Sequence, residues 1–200
     1  MNILIDGVPT EWNGYAVNTD FRVGIRVMQA AEDRELYDNE RFEIIMLLLF
    51  QNEDGSIREH PPVEQMGDVL KWFLSGWNHD GKPSEQQKKK RTVDFEVDQW
   101  RIYADFLQAY RIDLSTAKMH FWAFCGLLWN LPARTSAFMQ VLEIRQKKIS
   151  PKATTAERKV ITEAQRVYGL EQPEEKKELT SEEITKIDAF DKLRRAKENG

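Results

Sequence analysis

Along most of this chain apolar residues recur at intervals of three and four, a spacing that predicts helices with one buried face each. The first eighteen residues are the exception. "ILID" and "YAVN" are short strand-like runs around a polar middle, and Asn13-Gly14 is a favoured turn dipeptide, so residues 1–18 are read as a small β-hairpin with Trp12 and Tyr15 closing its ends. Thr19 or Asp20 supplies the N-cap oxygen of a first helix starting near Phe21, which buries Phe21, Ile25 and Met28. A second helix, from about Asn39 to Gln51, carries Phe42, Ile45, Met46 and Leu49 on one face. Ile44, Leu47 and Leu48 widen that face enough to predict burial on two sides. Pro61 and Pro62 open a third helix, where the first-turn amides need no partner, with a stripe of Val63, Met66, Val69, Leu70, Phe73 and Trp77.

Residues 78–93 lack apolar periodicity and contain a basic cluster from Lys88 to Arg91, which reads as a loop. Asp94 then caps a helix whose expected face is Val97, Trp100, Tyr103, Phe106, Leu107 and Tyr110. "RIDLST" turns the chain, and "MHFWAFCGLLWNL" forms the next helix, ending before Pro132. Ser136 to Lys147 follows with Phe138, Val141, Leu142 and Ile144, and a mostly charged helix runs from Thr154 to Tyr168. Residues 171–200 are an acidic linker and a charged C-terminal helix, whose narrow stripe of Ile184, Ile187, Phe190 and Leu193 is expected to rest on another surface. The fold class is therefore mainly α: a multi-helix bundle with a short N-terminal β-hairpin and a charged C-terminal helix. Residues 1–18 belong to the main domain, 19–150 form its helical core, and 151–170 are a peripheral helix.

Composition narrows the classes. With 200 residues there is enough chain for a real core. No run approaches the ~20 apolar residues of a membrane span, and "MNILIDGVPTEW" lacks the basic start of a signal peptide. A net charge of -4 and a pI near 5.6 argue against general nucleic-acid binding. A single cysteine cannot form an internal disulfide, which fits a reducing compartment.

Candidate chemistry is sparse. His120 and Cys125, five apart on one helix, point about 140° apart and cannot readily share a metal or form a nucleophilic pair. His60 and His79 lack zinc-type spacing. Asp94, Glu96 and Asp98 are explained by capping at the positive end of a helix. No phosphate-loop, dinucleotide, nucleophile-elbow or zinc-protease motif occurs, so no catalytic, cofactor or metal site is expected, and neither is an enzyme. Trp122 and Trp129 lie one heptad apart on a second stripe of their helix, away from Phe121, Phe124, Leu128 and Leu131. That stripe faces either a second layer of the same chain or a partner.

Two stretches together carry a resemblance: "VNTDFR" after the hairpin, and "VDFEVDQWRIYADFLQAYRIDLSTAKMHFWAFCGLLWNLPARTSAFMQVLEIR". They resemble the bacteriophage tail-module family called gp-fifteen after its phage gene product. The matching residues are Asn18 to Arg22, Asp94, Phe95, Asp98, Ile102, Tyr103, Ala104, Phe106, Tyr110, Ile112, Asp113, Leu114, His120, Trp122, Phe124, Leu127, Leu128, Phe138, Ile144 and Arg145, spanning about residues 1–150. Two departures stand out: Arg111 replaces the glycine expected before "IDL", which puts the shape of that turn in question, and residues 82–91 are a basic insertion. The resemblance implies a tail assembly chaperone of long-tailed phages. It would act in the host bacterial cytoplasm, binding the tape measure protein, with the tail tube protein as a second partner and self-association expected, and without nucleic acid or membrane. The alternative is a structural tail component, a tail completion or baseplate-hub subunit. Asp20, Phe21, Arg22, Tyr103, Phe106, Asp113, His120, Trp122, Phe124 and Trp129 are the motif residues expected to serve structure or partner binding.

Overall fold

The computed structural model describes residues 2–52, 54–76 and 91–170. Trp77, His79, most of the predicted loop with its basic cluster, and the whole of the predicted C-terminal helix lie outside the described residues. Eight α-helices and one two-stranded antiparallel sheet occur among the described residues, so the chain is mainly helical with a short hairpin near its N-terminus.

The hairpin is smaller than the sequence suggested. "ILID" is not a strand but a single helical turn, α1 (Ile3–Asp6), because polar side chains satisfy its ends: Asn2 accepts from the Leu4 amide, and Asp6 accepts from the Asn2 amide at 2.7 Å. The strands are β1 (Glu11–Trp12) and β2 (Tyr15–Ala16), joined through Asn13 and Gly14, both at positive φ. That is the backbone of a type I′ turn. Trp12 pairs with Tyr15 beside the turn, not at the open end.

The helices are α2 (Phe21–Glu32), α3 (Asp38–Phe50), α4 (Met66–Ser75), α5 (Gln99–Tyr110), α6 (Phe121–Trp129), α7 (Ala137–Gln146) and α8 (Thr155–Tyr168). A 3-10 turn, Val63–Gln65, leads into α4, and Val63 is exposed because it precedes the helix. In α3 Ile45, Leu49 and Phe50 are buried but Leu47 is exposed, so the expected burial on two sides is incomplete.

Helix α6 is the centre of the bundle. Its Phe121, Trp122, Phe124, Cys125 and Leu128 are all buried. Phe124 stacks between Phe21 of α2 (5.0 Å) and Phe106 of α5 (5.3 Å), while Phe121 stacks on Phe73 of α4 (5.1 Å). A helix ringed by other helices has little use for a polar face, and this one has almost none. The approach of α2 is close enough that a Cβ on Gly24 would overlap the Phe121 ring.

The sequence reading of α5 is corrected. Its inward residues are Ile102, Asp105 and Phe106, whereas Val97, Trp100 and Leu107 are exposed. The reason is a carboxylate in the core. Asp105 caps α7, accepting from the Ser136 hydroxyl (2.6 Å) and the amides of Ala137 (3.1 Å) and Phe138 (2.9 Å). Those bonds rotate α5 so that its polar residue, not its largest apolar one, faces inward.

Arg111 also behaves differently from its residue type. It closes α5 at φ 58°, ψ 27°, a left-handed conformation that glycine adopts without cost. The turn therefore keeps the glycine-type shape despite the arginine. Arg111→Gly is expected to relieve this strain and stabilise the chain by about 1 kcal/mol, read as a higher urea midpoint; no change, or a loss, would contradict it.

Candidate functional site

The two motif stretches meet at the starts of α2 and α6. Asp20 and His120 are the N-caps of these helices, and their flanking segments run antiparallel: the Phe21 amide donates to the Met119 carbonyl (2.9 Å) and the Phe121 amide to the Thr19 carbonyl (2.7 Å). Each helix start thus satisfies amides of the other that have no partner within their own turn. The Asp20 carboxylate accepts from the Arg22 amide (2.8 Å).

His120 is not within the helix but caps it, which supersedes the angular argument about Cys125. Its Nδ1 accepts from the Trp122 amide (3.0 Å), so Nε2 carries the proton and donates to the Pro9 carbonyl (2.9 Å). Burial pushes its pKa below the usual histidine value, and the Pro9 bond opposes this in part. The unfolded chain therefore takes up this proton at higher pH than the folded one does. The His120 contribution is complete above the ordinary value of ~6.5 and falls away as pH drops through and below it. Urea unfolding at pH 7.5 and 5.5 is expected to show a loss at the lower pH that His120→Asn, which keeps a capping oxygen, makes smaller; an unchanged pH slope would refute the assignment.

Cys125 is buried, its thiol pushed up to about 12 by desolvation, which leaves it inert at neutral pH. Among the described residues no group of three or more His, Cys, Asp or Glu is placed to hold a metal ion.

Arg22 fastens the next motif. Its guanidinium donates to the carbonyls of Leu114 (2.8 Å), Ser115 (3.1 Å) and Ala117 (2.9 Å), and lies 4.5 Å from the Phe21 ring centroid. Within that "IDL" turn Asp113 accepts from the Ser115 hydroxyl (2.6 Å) and amide (2.8 Å). Those bonds, with a smaller contribution from the Tyr103 hydroxyl, hold its carboxyl below the usual range.

The braced turn forms one wall of an open cleft of about 410 Å³ between α2, α5 and α6. Phe21, Ile25, Trp100, Tyr103, Leu114 and Phe124 line it, with Gln29, Gln99 and Ser115 as its polar residues. Trp100, 73% exposed, stands at the rim edge-on to Tyr103 (5.9 Å). Apolar walls with a few amide and hydroxyl groups suit an amphipathic segment.

The structure thus brings Asp20, Phe21, Arg22, Tyr103, Asp113, His120 and Phe124 into one neighbourhood, with Phe106 behind Phe124. Trp122 lies elsewhere: its indole donates to the Phe73 carbonyl (2.8 Å) and packs edge-on against Trp72 (5.2 Å). That part of the second stripe meets its own chain. Trp129 is partly exposed beside Phe138.

Sequence reasoning missed the role of Asp98, read as a cap. Its side chain makes no cap bond; it is fully buried and bonded to Arg145 at 2.6 and 3.0 Å. Arg145 also donates to the carbonyls of Thr92 (3.0 Å) and Tyr168 (2.7 Å), tying α5, α7, the end of α8 and the segment before α5 to one guanidinium. Asp94, expected to cap this helix, instead holds the turn before it, accepting from the amides of Glu96 (2.8 Å) and Val97 (3.1 Å); the N-cap position of α5 is Asp98.

No helix among the described residues is long and apolar enough to cross a membrane. No curated protein and no solved structure matches the chain. Residues 3–170 match the profile of one protein family, described as Bacteriophage Gp15 protein.

Proposed function

The chain belongs to the Bacteriophage Gp15 protein family, and from that premise we propose that it is a non-enzymatic tail assembly chaperone that holds apolar helical segments of the tape measure protein. The observation that carries this reading is the cleft itself. Motif residues from two distant stretches build its walls, yet the chemistry they offer is apolar contact, not acid–base or nucleophilic groups. An amphipathic helix lays its apolar face into such a groove, and an elongated apolar protein needs that face covered until it is packed into a tail tube.

Such a holder must also let go. A short groove with one exposed tryptophan gives modest affinity per contact, so polymerising tube subunits can displace it. On this reading the protein works in the host cytoplasm, with the tape measure protein as first partner and the tube protein as the second, and it requires no nucleic acid.

Co-expression with the tape measure protein tests the proposal. The wild-type chain is expected to keep the tape measure protein in the soluble fraction, and Trp100→Asp, a change at an exposed position, is expected to abolish this without altering the thermal melt. No gain in solubility from the wild-type chain would sink the reading. Stoichiometric presence in purified particles would instead make the protein a structural tail component.

A further inference from the structure

Helix α8 carries most of its own support. A capping box closes its start: the Thr154 hydroxyl accepts from the Glu157 amide (3.2 Å), and the Glu157 carboxylate accepts from the Thr154 amide (2.7 Å). The Arg158 guanidinium folds back onto the carbonyls of Ser150 (3.2 Å), Pro151 (2.8 Å) and Ala153 (3.0 Å), which pins the segment leading into the helix. Glu163 and Arg166 pair along its surface at 2.6 Å. All of these bonds are local, and none of them needs the bundle.

Its ties to the rest of the chain are few. No residue of α8 is buried, and none of its apolar side chains packs against the contiguous core of the bundle. Val160 and Val167 are exposed, while Ile161, Ala164 and Gln165 are partly covered. Among the described residues, two side chains carry the hydrogen bonds between α8 and α7. Gln165 donates to the carbonyls of Ile144 (3.0 Å) and Lys147 (2.8 Å), and Arg145 donates to the Tyr168 carbonyl (2.7 Å). All three bonds fall in the last turn of α8. Breaking the Tyr168 bond strands no charge, because Arg145 keeps both bonds to Asp98 and the one to Thr92.

We infer that α8 is a strap that releases and re-docks as one unit while the rest of the bundle stays folded. A lone helix of 14 residues is marginal in water, so release and loss of the helix go together, and the capping box favours its re-forming. With α8 released, Ile144 and the Tyr168 side of the Arg145 guanidinium open to water, and the last carbonyls of α7 lose their donor. The chain therefore has two folded forms, one with the end of α7 covered and one with it bare. They differ by three hydrogen bonds and a little apolar contact. Anything that grips the end of α7 more tightly in one form than in the other shifts the balance between them. The strap is independent of the chaperone reading.

Native-state hydrogen exchange of the full 200-residue chain, read by mass spectrometry without urea and in low urea, tests the strap. Amides of α8 are expected to be protected, yet to exchange about a hundredfold or more faster than those of α6. Their exchange is expected to depend little on urea, because a local opening exposes little surface. Gln165→Ala removes two of the three bonds and is expected to speed α8 exchange about tenfold further, leaving α6 exchange unchanged. Amides of α8 that exchange together with those of α6, at one rate and one urea slope, overturn the inference. So does a complete lack of protection in α8, which would mean that there is no docked form. A Gln165→Ala variant that speeds both helices equally, or leaves α8 exchange as it was, overturns it too.

Discussion

Asp98→Ala is expected to destabilise the chain by about 3–5 kcal/mol, the largest single effect of any charged residue in the fold. The loss comes from what remains behind. Arg145 is 4% exposed and would keep its positive charge with only two carbonyls for company. Arg101, which donates to the same carboxylate at 3.0 Å, would keep only its longer bond to the Val97 carbonyl (3.4 Å). Against a typical total stability of about 5–15 kcal/mol such a loss removes much of the margin. It corresponds to a melting point lower by roughly 6–20 °C for a chain of this size. Replacing both partners with apolar residues, Asp98→Leu with Arg145→Met, is expected to cost less than either single change, because no buried charge is then stranded. Urea denaturation of the three variants decides it; additive losses would show that the pair does not act as a unit.

Phe124→Ala is expected to cost a similar ~3–5 kcal/mol, for a different reason. Its ring is the shared member of the stack with Phe21 and Phe106, and it lies 6.3 Å from Phe95 as well. Removing it leaves a cavity that three aromatic rings from α2, α5 and the segment before α5 cannot all move to fill. The same side chain floors the cleft, so Phe124→Leu, a milder change, is expected to retain most stability while reducing the capture of an apolar client. A Phe124→Ala variant as stable as wild type would mean that the stack is not the centre of the core.

The reach of the sequence is clearest where one residue type had one job. Periodicity places α6 correctly and marks it as buried on several sides, because a run with almost no polar residue leaves no other choice. Ser136 and Thr154 are capping residues by type and cap the helices they precede. Periodicity fails where a polar residue is satisfied at long range. Asp98 reads as a capping carboxylate and Asp105 gives no signal at all, because their partners, Arg145 and the start of α7, are 47 and about 30 residues away. The apolar positions alone therefore put the expected stripe of α5 one step around the helix, with Trp100 inside. One available signal pointed the other way: Ile102 and Phe106 are four apart with Asp105 between them, so a face built on that pair must include the carboxylate or leave the pair split. "ILID" misled for a local reason, since two side-chain caps can hold a single helical turn where strand-like residues suggest extension. The cleft itself was legible only as motif residues without a shape, because its walls are brought together from stretches some ninety residues apart.

The paired starts of α2 and α6 set a clock on synthesis. Arg22 and the carbonyl it grips at Ala117 are 95 residues apart, and at about 5–20 residues per second a ribosome takes roughly 5–20 s to make the second after the first. Through that interval α2 has its own capping side chain but not the strand-like bridge that fixes its start, and Phe21 has no Phe124 to stack on. Closing so long a loop is slow relative to forming local turns, so the core and the cleft are made together, late, in the step that brings residues 119–121 back to residues 19–21.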